Sequence, residues 1–290
     1  MASLKEIKVR INSVKSTRKI TSAMKMISSS KLHRAQSAIF NFLPYQKKLD
    51  TILNDLLASD TGSDSPFTKK RDVKRVAIVA FASNSTLCGA YNSNVRKEFF
   101  RIYNSKLSLG KDNIEVYPVG KKIEQAIKKE GVAIAGSYQE IANQPAFNDI
   151  SSLCAILMDK YKEGSLDEII VVYHHFKSTG TQILTAAQFL PFSLEKGKTQ
   201  KDKPARVNYL LEPNKEKILT DLIPSVLNSR LFAAALDAAA SEQAARMMAM
   251  QVATDNADEL IGDLTIQYNK TRQQAVTNEL LDIIGGASAL

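Results

Sequence analysis

The chain has 290 residues, 44% hydrophobic and 24% charged, with a formal net charge of +9. That balance is ordinary for a soluble protein of one or two domains, and no stretch of roughly eighteen apolar residues offers a transmembrane helix. The two cysteines, Cys88 and Cys154, lie far apart and outside any C-x-x-C, so neither a disulfide framework nor a zinc site follows and a reducing compartment is expected.

Ser3-Leu4-Lys5-Glu6 reads as a capping box that opens a helix almost at the first residue. Leu4, Ile7, Ile11 and Val14 step by three and four; after a slip, Ile20, Met24 and Ile27 form a second short stripe. From Ala35 the series Ala35, Ala38, Phe42, Tyr45, Leu49, Ile52, Leu56 is a heptad seam, the mark of a left-handed coiled coil. The spacing predicts one long helix over 3–57, bent or locally broken at Pro44, where a backbone donor is missing. Residues 1–34 hold nine Lys or Arg and one acid, a local charge of +8, almost the whole excess. This end lacks the apolar core and cleavage site of a secretory signal, and its continuous heptads argue against an organellar presequence.

Ser59 to Phe67 is a linker by composition. Beyond it the period changes. Val76 to Phe81 is a continuous apolar run, as in a strand covered on both faces. Asn92–Tyr103 reads as a helix, Ile114–Val119 as a strand, Lys121–Lys129 as a helix and Val132–Ala135 as a weak strand. Asp149–Tyr161 is a helix and Glu168–Phe176 a strong strand. Thr181–Leu190 is a further strand, antiparallel because only Ser178-Thr179-Gly180 separates it from the last. Strands alternating with helices predict a small, mostly parallel, Rossmann-like α/β domain. Glu195–Pro204 is an exposed polar loop, Val207–Leu211 a last strand, and Asn214 leads into the terminal helix.

That helix, Ser225 to Ile284, has no proline and one glycine, Gly262, with Pro224 before it and Gly285-Gly286 after it. Eight of the thirteen residues from Ala233 to Ala245 are alanine, which suits a helix and allows close approach of a second one. At about 1.5 Å per residue it runs roughly 90 Å, longer than a domain of this size is wide, so it is expected to project and to need partners. It carries four basic and eight acidic groups, a charge of −4, opposite in sign to the other end. The expected organisation is therefore a coiled-coil helix at 1–58, a central α/β domain at 70–210 and a second coiled-coil helix at 211–290. The two helices should pair antiparallel, mainly through their apolar stripes.

Candidate chemistry is sparse. No Gly-x-x-x-x-Gly-Lys-Ser/Thr loop or Gly-x-Ser-x-Gly elbow occurs. The turn Ser83 to Ala90 stands where a doubly wound sheet binds nucleotides, but its one glycine makes it a structural turn. Cys88 has no neighbouring base and reads as a buried small hydrophobe. His174 and His175 are adjacent on a strand and must face opposite sides, against a shared metal. Met24, Met26 and Met247-Met248-Ala249-Met250 read as a mixture of seam filler and adaptable contact surface. The basic first helix fits a nucleic-acid backbone or an acidic protein surface equally well. It lacks interleaved aromatics, and composition alone does not choose. A nucleotide-using enzyme with a helical oligomerisation arm is a third class, for which the chain carries no fingerprint.

The two ends resemble the gamma subunit of F-type ATP synthase. The segments that carry the likeness are Ser241-Glu242-Gln243-Ala244-Ala245-Arg246-Met247, Ala249-Met250 and Ala253-Thr254-Asp255-Asn256-Ala257. Tyr268-Asn269-Lys270-Thr271-Arg272-Gln273 and Thr277-Asn278-Glu279-Leu280 extend it, as do Ile20-Thr21-Ser22-Ala23-Met24-Lys25-Met26 with Lys31. Leu87-Cys88-Gly89 and Leu211-Glu212-Pro213 carry it through the middle of the chain. Where the family usually has Asp-Arg-Gly before Leu-Cys-Gly, this chain has Asn84-Ser85-Thr86. The regulatory cysteine pair of chloroplast relatives has no counterpart.

The resemblance implies a non-catalytic rotor subunit. Its coiled coil would be the shaft within a ring of three alpha and three beta subunits, and its α/β domain the foot on the membrane rotor ring of c subunits, beside epsilon. It implies beta-subunit contacts at Arg272, Gln273, Thr277 and Glu279, and at Met24, Lys25 and Arg246 against an acidic loop. Tyr209 and Glu212 would lie near epsilon and the rotor ring. No cofactor, metal or nucleic acid is implied, and the expected place is the inner face of a bacterial plasma membrane, reached only through the complex.

Overall fold

Ser3 and Glu6 cap the first helix reciprocally: the Ser3 N–H donates to the Glu6 carboxylate at 2.9 Å, and the Glu6 N–H to the Ser3 hydroxyl at 3.2 Å. Helix α1 then runs Leu4–Ala58. The structure is a computed structural model and describes residues 3–58, 67, 71–192, 212 and 214–288. The expected strand Val207–Leu211 and the loop Glu195–Pro204 lie outside the described residues. The chain divides into two units, Met1–Ser29 with Arg246–Leu290, and Ser30–Ala245.

The larger unit is built on a four-stranded sheet. Strands β1 (Val76–Phe81), β2 (Ile114–Val119), β3 (Glu168–Ser178) and β4 (Thr181–Leu190) lie in the order β2-β1-β3-β4. β1 pairs parallel with β2 and β3, and β3 pairs antiparallel with β4. Every residue of β1 is buried, which is why its sequence is continuously apolar. Ala77, Val79 and Phe81 face one core, Val76, Ile78 and Ala80 the other. Helices α2 (Tyr91–Lys106) and α3 (Lys121–Lys129) cover the second face. The first is covered by α5 (Phe147–Lys162), a short α4 (Gln139–Asn143) that the sequence pattern did not announce, and parts of α1 and of α6 (Lys215–Ser288).

Three expectations about elements are corrected. Residues 132–135 form no strand. The segment follows the outer edge of β2 with isolated bonds, Ala135 N–H to the Val116 carbonyl at 2.9 Å and Tyr138 N–H to the Pro118 carbonyl at 3.2 Å. Helix α1 continues through Pro44, where Phe40 and Pro44 are both exposed and water can replace the missing bond.

Helix α6, in turn, starts ten residues before Ser225, with Asn214 as its cap (Asn214 Oδ1 accepts from Lys217 N–H at 2.9 Å), and contains Pro224, Gly285 and Gly286. Ile223, Val226 and Leu227 bury on either side of Pro224, so core packing outweighs the lost backbone bond.

Glu124 fixes the covered edge of the sheet. Buried at the start of α3, its carboxylate accepts from Lys128 Nζ at 2.6 Å, Ser137 Oγ at 2.6 Å and Gln139 Nε2 at 2.7 Å. Those bonds, Lys128's first, pull its pKa down to about 2. The carboxylate is ionised in the fold well below its ordinary range, so the stability it contributes is full above pH 4.5 and is lost as pH falls toward 2. Glu124→Gln is expected to destabilise by about 1–3 kcal/mol at neutral pH, checked by urea unfolding of the full chain. The variant should also lose the wild type's decline across that acid window.

Candidate interaction surfaces

The turn after β1 is closed by its own side chains. Ser83 N–H and Oγ both donate to Asn92 Oδ1, at 3.1 and 3.0 Å, and Asn92 Nδ2 reaches Cys88 Sγ at 3.1 Å. Asn84 donates to the Gln139 carbonyl and accepts from the Lys121 N–H, both at 2.7 Å. The residues that replace the family's Asp-Arg-Gly thus begin with one that ties three segments together. Leu87 holds a left-handed φ of 67° and presents an exposed side chain. Cys88 is buried, and Cys154 sits in the core, where desolvation pushes its thiol up to about 12. Among the described residues no group of three or more His, Cys, Asp or Glu is placed to hold a metal ion.

His174 and His175 do face opposite sides. His174 is 3% exposed, stacks on Tyr91 with centroids 4.5 Å apart, and its Nδ1 has no hydrogen-bond partner; burial alone pulls its pKa down to about 4. The His175 Nδ1 meets Asp237 Oδ2 at 2.5 Å. Near it a cavity of about 500 Å³ opens between α1, β3, β4 and α6, with Phe42, Phe189 and Leu236 in its walls and the Asp50–Arg230 ion pair, at 2.9 Å, at its side.

In the smaller unit the two long helices pair antiparallel. Ile7, Ile11 and Leu264 are buried together, with Val14 and Tyr268 against them. Farther along, Arg18 pairs with Asp258, and the Thr21 and Thr254 hydroxyls meet at 2.8 Å. The phase of α1 differs from its apolar stripes: Ile20 and Ile27 are 61% and 57% exposed, while Thr21 and Ser28 are buried. Leu4, Ile7, Ile11, Val14, Arg18, Thr21, Lys25, Ser28 and Leu32 alternate three and four, so the seam never slips; it turns polar. Farther on, Ala38 and Tyr45 are exposed and Leu53 is fully buried, so that stripe too is offset from the face that packs.

The candidate contact residues fall into three groups. Met24 and Lys25 are half-buried beside this polar seam, and Arg246, on α6, is buried. Arg272, Gln273, Thr277 and Glu279 are all exposed near the end of α6. At about 100° per residue, Arg272 and Glu279 share one face and Gln273 and Thr277 the next, with exposed Val276, Leu280 and Ile283 between them. The Thr277 hydroxyl donates to its own helix, at the Gln273 carbonyl, 2.9 Å away. The third group divides: Tyr209 lies outside the described residues, and Glu212 is exposed just before the α6 cap.

The alanine run serves a different neighbour from the one its composition suggested. Ala234, Ala235 and Ala238 pack into the core beneath the sheet, and Tyr91 Oη donates to the Ala238 carbonyl at 3.0 Å. Asp237 and Tyr91, which join this part of α6 to the sheet, carry no signal in the sequence, and Ser241 stands out there only as the first residue of a matched segment, because their roles depend on strands far away in the chain.

A family model described as ATP synthase matches residues 3–290. The chain is 56% identical over 290 residues to the ATP synthase gamma chain of Bacteroides fragilis, covering all of both chains. It is 52% identical to that of Bacteroides thetaiotaomicron, covering 99% of each. Among solved structures it resembles the central stalk and c-ring of Tetrahymena thermophila mitochondrial ATP synthase with a TM-score of 0.60 at 20% identity, over 81% of this chain and 99% of that one. The rotor of the Euglena gracilis mitochondrial enzyme matches with a TM-score of 0.60 at 16% identity, over 94% and 98%. At these identities the structures speak for the fold.

Proposed function

Because the chain belongs to the ATP synthase gamma-chain family, we propose that it is the central-stalk rotor of a proton-translocating F-type ATP synthase and carries torque between a membrane rotor ring and a catalytic ring. The observation that carries this reading is the full-length likeness to gamma chains, together with an antiparallel helix pair whose far end carries an uncovered amphipathic face. In this reading the ring holds three alpha and three beta subunits, and the bonds to phosphate are made and broken on beta. Epsilon and the c subunits meet the α/β domain at the inner face of a bacterial plasma membrane. Among the described residues no helix is long and apolar enough to cross a membrane.

The geometry suits the task. A rotor must touch its bearing without locking to it. Exposed polar side chains on a helix contribute little each, while an apolar stripe between them gives non-directional contact that survives rotation. Arg272, Gln273, Thr277 and Glu279 act there against beta-subunit loops. Met24 and Lys25 meet an acidic loop of a beta subunit, and Arg246, buried on the paired helix, adds its positive charge there from within the helix pair. Glu212 and Tyr209 serve the contacts with epsilon and the rotor ring.

Replacing Arg272 and Gln273 together by alanine is expected to lower turnover of the assembled complex about fivefold or more, while the free chain stays within about 0.5 kcal/mol of wild type. Both side chains are exposed, so the fold does not depend on them. Unchanged hydrolysis and synthesis rates would remove this pair from the bearing. The reading as a whole is tested by tagging the chain in its own cell. Recovery of alpha, beta and epsilon, with ATPase activity in the complex and none in the chain alone, is the expected result; recovery of nucleic acid or a homo-oligomer would refute it.

A further inference from the structure

β3 outlives its partner. β1 pairs with it only as far as Ala80 opposite Val172, yet β3 continues to Ser178 with β4 along its other edge. Strand main-chain groups left beyond Val172 need new partners, and helix α6 supplies them from side chains. Ser241 Oγ donates to the His174 carbonyl at 3.0 Å, and the Phe176 N–H donates to the Asp237 carboxylate. The match is metric. Four residues of helix advance about 6 Å and two residues of strand about 6.6 Å, so positions 237 and 241 fall opposite 176 and 174.

The same turn of α6 is held from both faces of the sheet. On one, His175 bonds Asp237 at 2.5 Å. On the other, Tyr91 stacks on His174 and donates to the Ala238 carbonyl at 3.0 Å. The buried Ala235, Ala238 and Ala240 leave room for the helix to come this close.

We propose that this helix-to-strand joint is where torque passes between the α/β domain and helix α6, with Asp237 and Ser241 as its positioning residues. The proposal rests on the rotor reading above. Apolar packing is non-directional and lets one surface slide over another; hydrogen bonds to the main chain of a strand are directional and resist twisting. A helix joined to a sheet by packing alone would turn in its seat, and one bonded to the strand's edge turns with it.

The test uses the assembled, membrane-bound complex and compares ATP hydrolysis with ATP-driven proton pumping for wild type, Asp237→Leu with Ser241→Ala, and Asp237→Asn. The double variant, which removes both main-chain bonds, should lower protons pumped per ATP by about fivefold. Hydrolysis should stay within about twofold of wild type. Asp237→Asn keeps an oxygen that accepts from the Phe176 N–H and should retain the wild-type ratio, which a purely ionic role for Asp237 would not allow.

An unchanged ratio in the double variant overturns the joint, and so does uncoupling by Asp237→Asn equal to that of the double variant. If the double variant fails to assemble, Ser241→Ala alone decides, through the torsional stiffness of single rotating complexes. A softer rotor supports the joint and an unaltered one overturns it. A complex assembled without this chain that still pumps normally would refute the rotor reading itself, a result distinct from any of these.

Discussion

Replacing Gly120 by alanine is expected to cost about 3–5 kcal/mol, a large share of the stability of an ordinary domain. Gly120 joins β2 to α3 with φ 110° and ψ 142°, a region in which residues bearing a Cβ are strained. Space is denied as well: an added Cβ would stand 2.1 Å from the Ala82 carbonyl oxygen and 2.8 Å from its carbon. Backbone is all there is to move, and it is pinned on both sides. Ala82 N–H donates to the Val119 carbonyl at 2.8 Å, and Lys122 N–H to the Ser83 carbonyl at 3.1 Å. Relief of the clash must therefore break the turn that ends β1. Since the chain has no tryptophan, urea unfolding of the full chain would be followed by tyrosine fluorescence and far-UV circular dichroism. An unfolding free energy within about 0.5 kcal/mol of wild type would mean that the two strand ends are not held as described.

Acid should find a second weak point at His174. Burial holds its pKa near 4 against an ordinary 6.5, so the fold carries the neutral ring and the unfolded chain binds the proton first. The sign follows directly. The stability that depends on the neutral ring is fully present above pH 6.5 and is lost progressively as pH falls to 4, below which both states are protonated and the loss levels off. A shift of this size corresponds to about 3 kcal/mol between those limits. Glu124 adds its own decline at lower pH, from 4.5 toward 2, and the two windows barely overlap. His174→Phe keeps the stacking on Tyr91 and orphans nothing, because Nδ1 has no partner to lose. It should match wild type at pH 7.5 and exceed it by about 3 kcal/mol at pH 4, in urea titrations across that range. Parallel wild-type and variant curves would show that the ring is protonated within the fold.

The elements of the α/β domain could be read from the chain because burial and period agree there: β1 is apolar throughout and covered on both faces. The seam of α1 was harder. Apolar Ile20 and Ile27 drew the eye to a face that is exposed, while Arg18, Thr21, Lys25 and Ser28 carry the true phase and look like surface. A heptad written in polar residues is invisible to a hydrophobic count. Pro224 and the paired glycines misled in the opposite direction. They are stop signals for an isolated helix, and here the core on either side of Pro224 overrides one of them. Arg272, Gln273, Thr277 and Glu279 were marked by resemblance alone, since nothing in their spacing distinguishes a bearing from a solvated face. Asp237 has no signal in the sequence and Ser241 only its place in a matched segment, because what makes them a pair is the distance between two carbonyl-and-amide positions on a strand about sixty residues earlier.

The end of α6 carries one more consequence, for the life of the protein before it is assembled. Val276, Leu280, Leu281, Ile283 and Ile284 are between 49% and 67% exposed, on a helix that has run past the start of its partner. A surplus copy synthesised without its neighbours would offer that greasy tip to other copies and to proteases. Exposed apolar side chains of this kind favour self-association and proteolysis, so the chain is expected to be less soluble and shorter-lived alone than when that tip is covered.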